Sequence, residues 1–330
     1  MKVLHIQYKY EQWQDKRHRQ AADIAQTFLK PHPDFHRQER LTLKHLYDLN
    51  KKVVLITGAA GGIGAATARE FYALGANLVL TDMQQEAVDK LASEFEASRV
   101  LPLALDVTDA VATKDVVQKT IKHFGHLDIA FANAGISWRD GASTIASCDE
   151  AEFDKIVEVD LLGVWRTVRA ALPEVTRNKG QILITSSVYC FVNGMANAPY
   201  AASKAAVEML GRCLRTEIAY TGATASVVYP GWTATPIAKV AFGGNATVTK
   251  MIEVAFPAWL RKPISPEYMA QAIVKGVQRR QPRIFAPMRW VPFSILRGMF
   301  NAASDAMVIR HKKLQGLLQQ LESESKTVQK

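Results

Sequence analysis

Residues 53–64 read Val-Val-Leu-Ile-Thr-Gly-Ala-Ala-Gly-Gly-Ile-Gly and run without a break into the helical pattern Ala65–Leu74. An apolar β-branched run, a glycine-rich turn and a helix, in that order, form a phosphate cradle. The glycines let the chain turn tightly, so that backbone N–H groups and the helix N-terminus face a pyrophosphate. Gly58, Gly62 and Gly64 carry that reading. The next apolar run ends at Asp82, 24 residues beyond Gly58. A carboxylate there accepts hydrogen bonds from ribose hydroxyls and repels a 2′-phosphate, which favours NAD over NADP. Met83 and the absence of Lys or Arg from the glycine loop agree, because a 2′-phosphate calls for a nearby cation.

Outward from this loop, short β-branched runs alternate with helix-length amphipathic segments. The runs that predict strands are Val53–Ile56, Leu78–Thr81, Val100–Leu105, Leu127–Ala132, Ile182–Thr185, Ser226–Tyr229 and Arg283–Phe285. Strands separated by helices predict an α/β fold with a doubly wound, seven-stranded parallel sheet. Several runs are apolar without alternation, as expected of strands covered on both faces. The expected organisation is an N-terminal helical arm over 1–50, a catalytic domain over 51–287 and a C-terminal helical extension over 288–330. Within the arm, Ala21–Lys30 and Leu41–Leu49 read as helices on either side of a Pro-His-Pro break.

The chain has 330 residues, 48% hydrophobic and 22% charged, which excludes whole-chain disorder and gives enough apolar side chains for a sizeable core. Its three cysteines, Cys148, Cys190 and Cys213, form no CxxC pair and no Cys/His spacing suited to zinc. The expectation is a reducing, cytoplasmic setting without a metal site. No stretch has the apolar length of a signal peptide or a membrane span, so the chain reads as soluble or peripheral. The net charge of +10 belongs to the ends: residues 261–330 hold 13 Lys and Arg against 4 Asp and Glu, whereas residues 51–260 hold 19 against 21. No recognition-helix motif accompanies that charge, and no nucleic-acid partner is expected. The stretch Arg279–Phe300 interleaves cations with Trp290, Phe293 and Phe300. It reads either as a peripheral membrane contact or as a final strand and helix whose aromatics cover the core.

Tyr200-Ala-Ala-Ser-Lys204 sets a phenol and an ammonium four residues apart, on one face of a helix. An adjacent cation favours the phenolate, so the pair can pass a proton to or from an alcohol oxygen. Ser186-Ser187 ends the fifth predicted strand, with Ser187 13 residues before the tyrosine, at the sheet edge where doubly wound folds bind ligands.

Together with the glycine loop, Ala132-Asn133-Ala134-Gly135 and Pro230-Gly231, this set resembles the short-chain dehydrogenase/reductase family over about residues 51–287. The resemblance implies a Rossmann-type sheet and an NAD(H)-dependent oxidoreductase. It makes Tyr200 the general acid/base, Lys204 the group that lowers its pKa and holds the nicotinamide ribose, and Ser187 the donor to the substrate oxygen. It assigns cofactor contacts to Gly58, Gly62, Ile63, Gly64, Asp82, Asp106, Val107, Asn133, Ala134, Gly135, Tyr200, Lys204, Pro230, Gly231 and Thr235. It also implies a homodimer or homotetramer through the helices over 149–177 and 200–219.

One position departs from the family pattern: Asp160 stands where the family has a catalytic-site Asn. Its backbone carbonyl could still hold the water of a proton relay, while a buried carboxylate would shift Tyr200 and Lys204. Trp138, Val188, Tyr189, Phe191, Met195 and Trp232 are candidate pocket walls, mostly large and apolar, and imply a lipid-, terpenoid- or steroid-like alcohol or its carbonyl. The segment 237–260 is expected to be a substrate lid. A reductase of fatty aldehydes or acyl-CoA and a non-catalytic dinucleotide-sensing regulator stand as alternatives.

Overall fold

The computed structural model describes residues 46–139, 141–235, 238 and 245–328. The expected helix Ala21–Lys30 and residues 41–45 of the second arm helix lie outside them, and Leu46–Leu49 carry no helix. The chain divides into the units Met1–Leu46 and Tyr47–Lys330, so the expected C-terminal extension is folded into the same unit as the sheet.

Seven strands form one sheet: β1 (Val53–Thr57), β2 (Asn77–Asp82), β3 (Val100–Ala104), β4 (Ile129–Ala132), β5 (Gln181–Thr185), β6 (Thr224–Pro230) and β7 (Arg283–Ala286). Their order is β3-β2-β1-β4-β5-β6-β7, and every pairing is parallel. The order reverses between β1 and β4, the point at which doubly wound sheets open a crevice at their carboxyl ends. Each of the seven runs read from the sequence forms a strand, with ends displaced by one or two residues. All five residues of β1 and of β5 are buried, which accounts for their unbroken apolar pattern.

Helices cover both faces. On one face, α1 (Gly62–Ala73) brings Ala68 and Phe71, and α2 (Gln85–Ala92) brings Val88 and Leu91. The other face is covered by α3 (Ala110–Phe124), α5 (Val164–Arg177) and α6 (Ala198–Glu217), which bury Val116, Val168 and Val207. Local signals start and stop these elements. The Asp109 side chain accepts from the Val111 and Ala112 N–H groups to cap α3, and Gly125, at φ +85°, ends it in the left-handed region.

A shorter helix, α4 (Glu150–Val157), leads into α5 through a π-helical turn over Glu158–Gly163. Beyond β6, α7 (Ala246–Ala255) and α8 (Ala258–Arg261) precede α9 (Pro266–Gln278), which packs on the α1 face through Met269, Ile273 and Val277. After β7 come α10 (Val291–Ile295), α11 (Arg297–Arg310) and α12 (Lys312–Val328). Leu314, Leu317 and Leu321 of α12 are buried against Trp138 and against Val248 and Met251 of α7. The three aromatics of the expected membrane stretch part company: Trp290 is buried, Phe293 half-buried and Phe300 exposed.

Candidate active site

Residues distant in sequence meet at the carboxyl ends of β1, β4 and β5. Asn133, just past β4, donates from its Nδ2 to the carbonyls of Thr57 (3.1 Å) and Gly58 (3.2 Å), and its Oδ1 accepts from Thr185 Oγ1 at 3.2 Å. One side chain thus joins the ends of three strands. Gly58 sits at φ +62°, and a Cβ there would stand 2.8 Å from the Ala134 Cα, so the turn and the close approach both require glycine.

The glycine loop is built to receive an anion. The first turn of α1 has no capping side chain and no acidic residue, so its backbone donors are left to a ligand. Gly62 and Ile63 lie in that turn, and Thr235 folds over it: a Cβ on Gly62 would meet the Thr235 methyl at 2.8 Å. Asp82 turns back towards the loop, accepting from Ala60 N–H at 3.1 Å and Met83 N–H at 2.8 Å. The carboxylate at the end of β2 and the uncapped helix above β1 fit a dinucleotide, the first for a ribose and the second for its pyrophosphate.

Asp106 Oδ1 accepts from the N–H and the Oγ1 of Thr108, which fixes the turn after β3. Those bonds hold its carboxyl below the ordinary range although burial opposes them. Val107, next to it, is buried and would touch a Cβ placed on Gly163. Pro230 is buried at the end of β6, and Gly231 leaves room for the Trp290 indole, which a Cβ would meet at 2.6 Å.

The catalytic candidates gather on α6. Lys204 is buried, and its Nζ stands 2.9 Å from Asp160 Oδ2, 3.4 Å from the Thr185 carbonyl and 5.2 Å from the centre of the Tyr200 ring. Asp160 is fully buried in the π-helical turn, and its Oδ1 accepts from Ile136 N–H at 2.7 Å. The extra residue in a π turn shifts the side chains that follow it, a device common at functional sites. Gly135 makes room for the pair, because a Cβ there would lie 3.1 Å from Lys204 Nζ and 3.3 Å from Asp160 Oδ2. Ser187 is buried at the end of β5, where its Oγ accepts from Tyr189 N–H at 3.2 Å. The Tyr200 and Tyr189 rings meet edge to face at 6.0 Å.

Lys204 acts on Tyr200 in the expected direction without prevailing. Lys204 does favour the Tyr200 phenolate, and the Ser187 hydroxyl helps, but burial and the Asp160 charge outweigh both, so the phenol stands above its ordinary value. Burial alone would lower the Lys204 ammonium, yet the Asp160 carboxylate and the Tyr200 phenolate hold it above its usual range. Burial likewise raises the Asp160 carboxyl, with Lys204 and the Ile136 N–H opposing. The three groups form one coupled set whose protons cannot be assigned independently.

Beside Tyr189 opens a cleft lined by Ala142, Tyr189, Asn193, Met195, Ala196, Asn197, Val248, Met251, Ile252, Ala255 and Phe256. Of the six candidate walls, Tyr189 and Met195 line it. Trp138, Val188, Phe191 and Trp232 are buried in the packing instead, Trp138 donating from Nε1 to the Ala196 carbonyl at 2.9 Å. Much of the wall comes from α7, which lies within the expected lid segment. Residues 237 and 239–244 of that segment lie outside the described residues.

Sequence reasoning also missed a charged cluster behind the site. Glu208, one turn beyond Lys204, is buried and accepts from Arg297 Nη1 at 2.7 Å and from Tyr229 Oη at 3.3 Å. Burial and this carboxylate push the neighbouring Cys190 thiol up to about 12. The i+4 spacing from Lys204 was visible, but nothing local marks Glu208 as a buried acid whose cation comes from the C-terminal helices.

The model of the short-chain dehydrogenases matches residues 52–244, more than half of the chain and the whole stretch from the glycine loop through Tyr200 and Lys204. The chain belongs to the short-chain dehydrogenase family. Among curated relatives, it is 34% identical over 194 residues to a 3-oxoacyl-(acyl-carrier-protein) reductase of Thermotoga maritima, covering 58% of this chain and 78% of that one. It is 34% identical over 181 residues to the meso-2,3-butanediol dehydrogenase of Serratia marcescens, covering 55% and 71%. Among solved structures, the 3-ketoacyl-(acyl-carrier-protein) reductase of Brucella melitensis complexed with NADH matches with a TM-score of 0.62 and 25% identity, over 69% of this chain and 91% of that one. As a member of this family the chain is an oxidoreductase acting on CH–OH groups with a nicotinamide dinucleotide as cofactor.

Among the described residues, no three His, Cys, Asp or Glu side chains gather as a metal would need, and no helix is long and apolar enough to cross a membrane.

Proposed function

We propose that the chain interconverts a hydrophobic alcohol and its carbonyl, with NAD(H) preferred to NADP(H). The observation that carries the reading is the burial of Lys204 between Asp160 and Tyr200, whose ring packs against Tyr189 of the cleft wall. The dinucleotide supplies the hydride acceptor or donor. Tyr200 takes the proton from the alcohol oxygen in oxidation and returns it in reduction, and Ser187 orients the same oxygen. Lys204 holds its charge because Asp160 is beside it, and that charge draws the phenol towards the anionic form. Gly58, Gly62 and Gly64 would hold the pyrophosphate and Asp82 the adenosine ribose, with Asp106, Val107, Asn133, Ala134, Gly135, Pro230, Gly231 and Thr235 around the remainder.

The substrate reading rests on the cleft, whose walls from α7, with Met195 and Ala142, are aliphatic or sulfur-bearing and whose polar groups are few. The relatives reduce or oxidise substrates as different as a carrier-bound acyl chain and a small diol, so the lining of this chain decides. A panel of long-chain and cyclic secondary alcohols with NAD, read at 340 nm, tests it. Activity is expected for apolar alcohols and should fall about 10²- to 10⁴-fold in Tyr200→Phe, the usual contribution of a general acid/base. Full activity in that variant would refute the assignment.

Self-association is proposed through α5 and α6, whose outer faces expose Trp165 and Met209 beside Leu162 of the π turn. A homodimer or homotetramer would cover them, and a single-chain mass in ultracentrifugation would contradict it.

A further inference from the structure

Helix α11 turns a row of apolar residues to solvent. Met299, Ala303 and Met307 recur every four residues and share one face, and all three are exposed. Leu296 and Phe300 flank that face and are exposed as well. The opposite face is the one that docks: Arg297 pairs with Glu208, Asp305 accepts from Asn193 Nδ2 at 3.0 Å, and Val308 packs on the core. No residue of α11 is fully buried. Ile295, Met288 and Trp259 are exposed as well, and the Trp259 ring lies 6.5 Å from Phe293, itself 5.3 Å from Phe300. Single exposed apolar residues are ordinary, but a continuous set of this size marks an interaction surface.

We propose that this face is a peripheral docking surface for an anionic lipid bilayer. Charge selects that occupant. Residues 288–313 hold Arg289, Arg310, Lys312 and Lys313 against the single acid Asp305, with Arg297 turned inward to Glu208. Arg310 shares the outer face of α11, and Lys312 and Lys313 follow it, all exposed. Apolar side chains flanked by cations suit the boundary between acyl chains and anionic head groups. A second copy of the chain, at net +10, would bring like charge to the same rim. Asn193, held by Asp305 on the inner side of α11, lines the substrate cleft. The cleft wall therefore stands about one helix diameter, roughly 10–12 Å, behind the proposed lipid-facing surface.

Cosedimentation of the full chain with vesicles, without cofactor or substrate, tests the surface independently of the catalytic reading. The wild type is expected to pellet with equimolar phosphatidylglycerol and phosphatidylcholine at low salt, to pellet far less with phosphatidylcholine alone, and to lose binding as salt rises. Met299→Glu with Met307→Glu places charge only at exposed positions, so the fold should be kept, and partitioning is expected to fall at least tenfold. Lys312→Gln with Lys313→Gln should lower it by roughly fivefold per cation removed and flatten the salt dependence. The proposal is overturned if the folded wild type fails to pellet with the anionic vesicles. It is equally overturned if the glutamate variant pellets like the wild type, or if that variant instead breaks an oligomer seen by ultracentrifugation.

Discussion

Asp160, which departs from the family pattern read in the sequence, is a direct partner of Lys204 at 2.9 Å. Its charge repels the Tyr200 phenolate and so raises the phenol, while it also helps Lys204 keep its proton. In Asp160→Asn the Oδ1 can still accept from Ile136 N–H, and the direct repulsion vanishes. Alcohol oxidation needs the phenolate, so kcat/KM rises with pH through the Tyr200 ionisation, and that limb should move to lower pH in Asp160→Asn. A pH profile of oxidation measures it, and an unchanged or alkaline-shifted limb would contradict the coupling. The variant also leaves Lys204 buried without its anion, and loss of a partner from a buried pair costs about 3–5 kcal/mol, so a lower Tm is expected as well. The sequence names these three residues, yet the direction of the tyrosine shift was illegible in it. Spacing brings Tyr200 and Lys204 together on a helix, whereas the π turn that sets Asp160 against them is a tertiary outcome.

At the scale of elements, the strands and the glycine loop were legible because their signals are local: unbroken apolar runs, a left-handed glycine, a strand end carrying an acid. The substrate wall was not. Four of the six large residues expected to line the cleft pack into the interior, and α7 supplies much of the lining. That helix is held by α12, a contact between segments far apart in sequence. Leu317 and Leu321 press on the Val248 and Met251 side, while Glu324 Oε1 accepts from Thr247 Oγ1 at 2.9 Å and Glu324 Oε2 from Asn245 Nδ2 at 3.3 Å. The C-terminal extension thus supports the wall of the cleft. Leu321→Ala should cost about 2–5 kcal/mol by leaving a cavity at a nearly dry position. Looser support of α7 should also raise KM for apolar alcohols more than it lowers kcat. Thermal unfolding and steady-state kinetics read both, and an unchanged KM in a destabilised variant would confine α12 to a structural role.

At the scale of the molecule, one sheet edge collects the dinucleotide cradle, the coupled trio and the apolar cleft, and the helices after β7 enclose the cleft from outside. Net charge read from the sequence located the basic character at the C-terminal end, but only the fold shows that Trp290 turns inward while Met299 and Met307 turn outward. The central claim is that a nicotinamide dinucleotide lies along this edge, with Asp82 choosing the form without a 2′-phosphate. Calorimetric titration of the pure full chain with NADH and NADPH tests it most directly, with Asp82→Ala as the comparison. Tighter binding of NADH, with that preference reduced in the variant, is the predicted result. No heat from either nucleotide on folded protein, or a preference for NADPH, would contradict it.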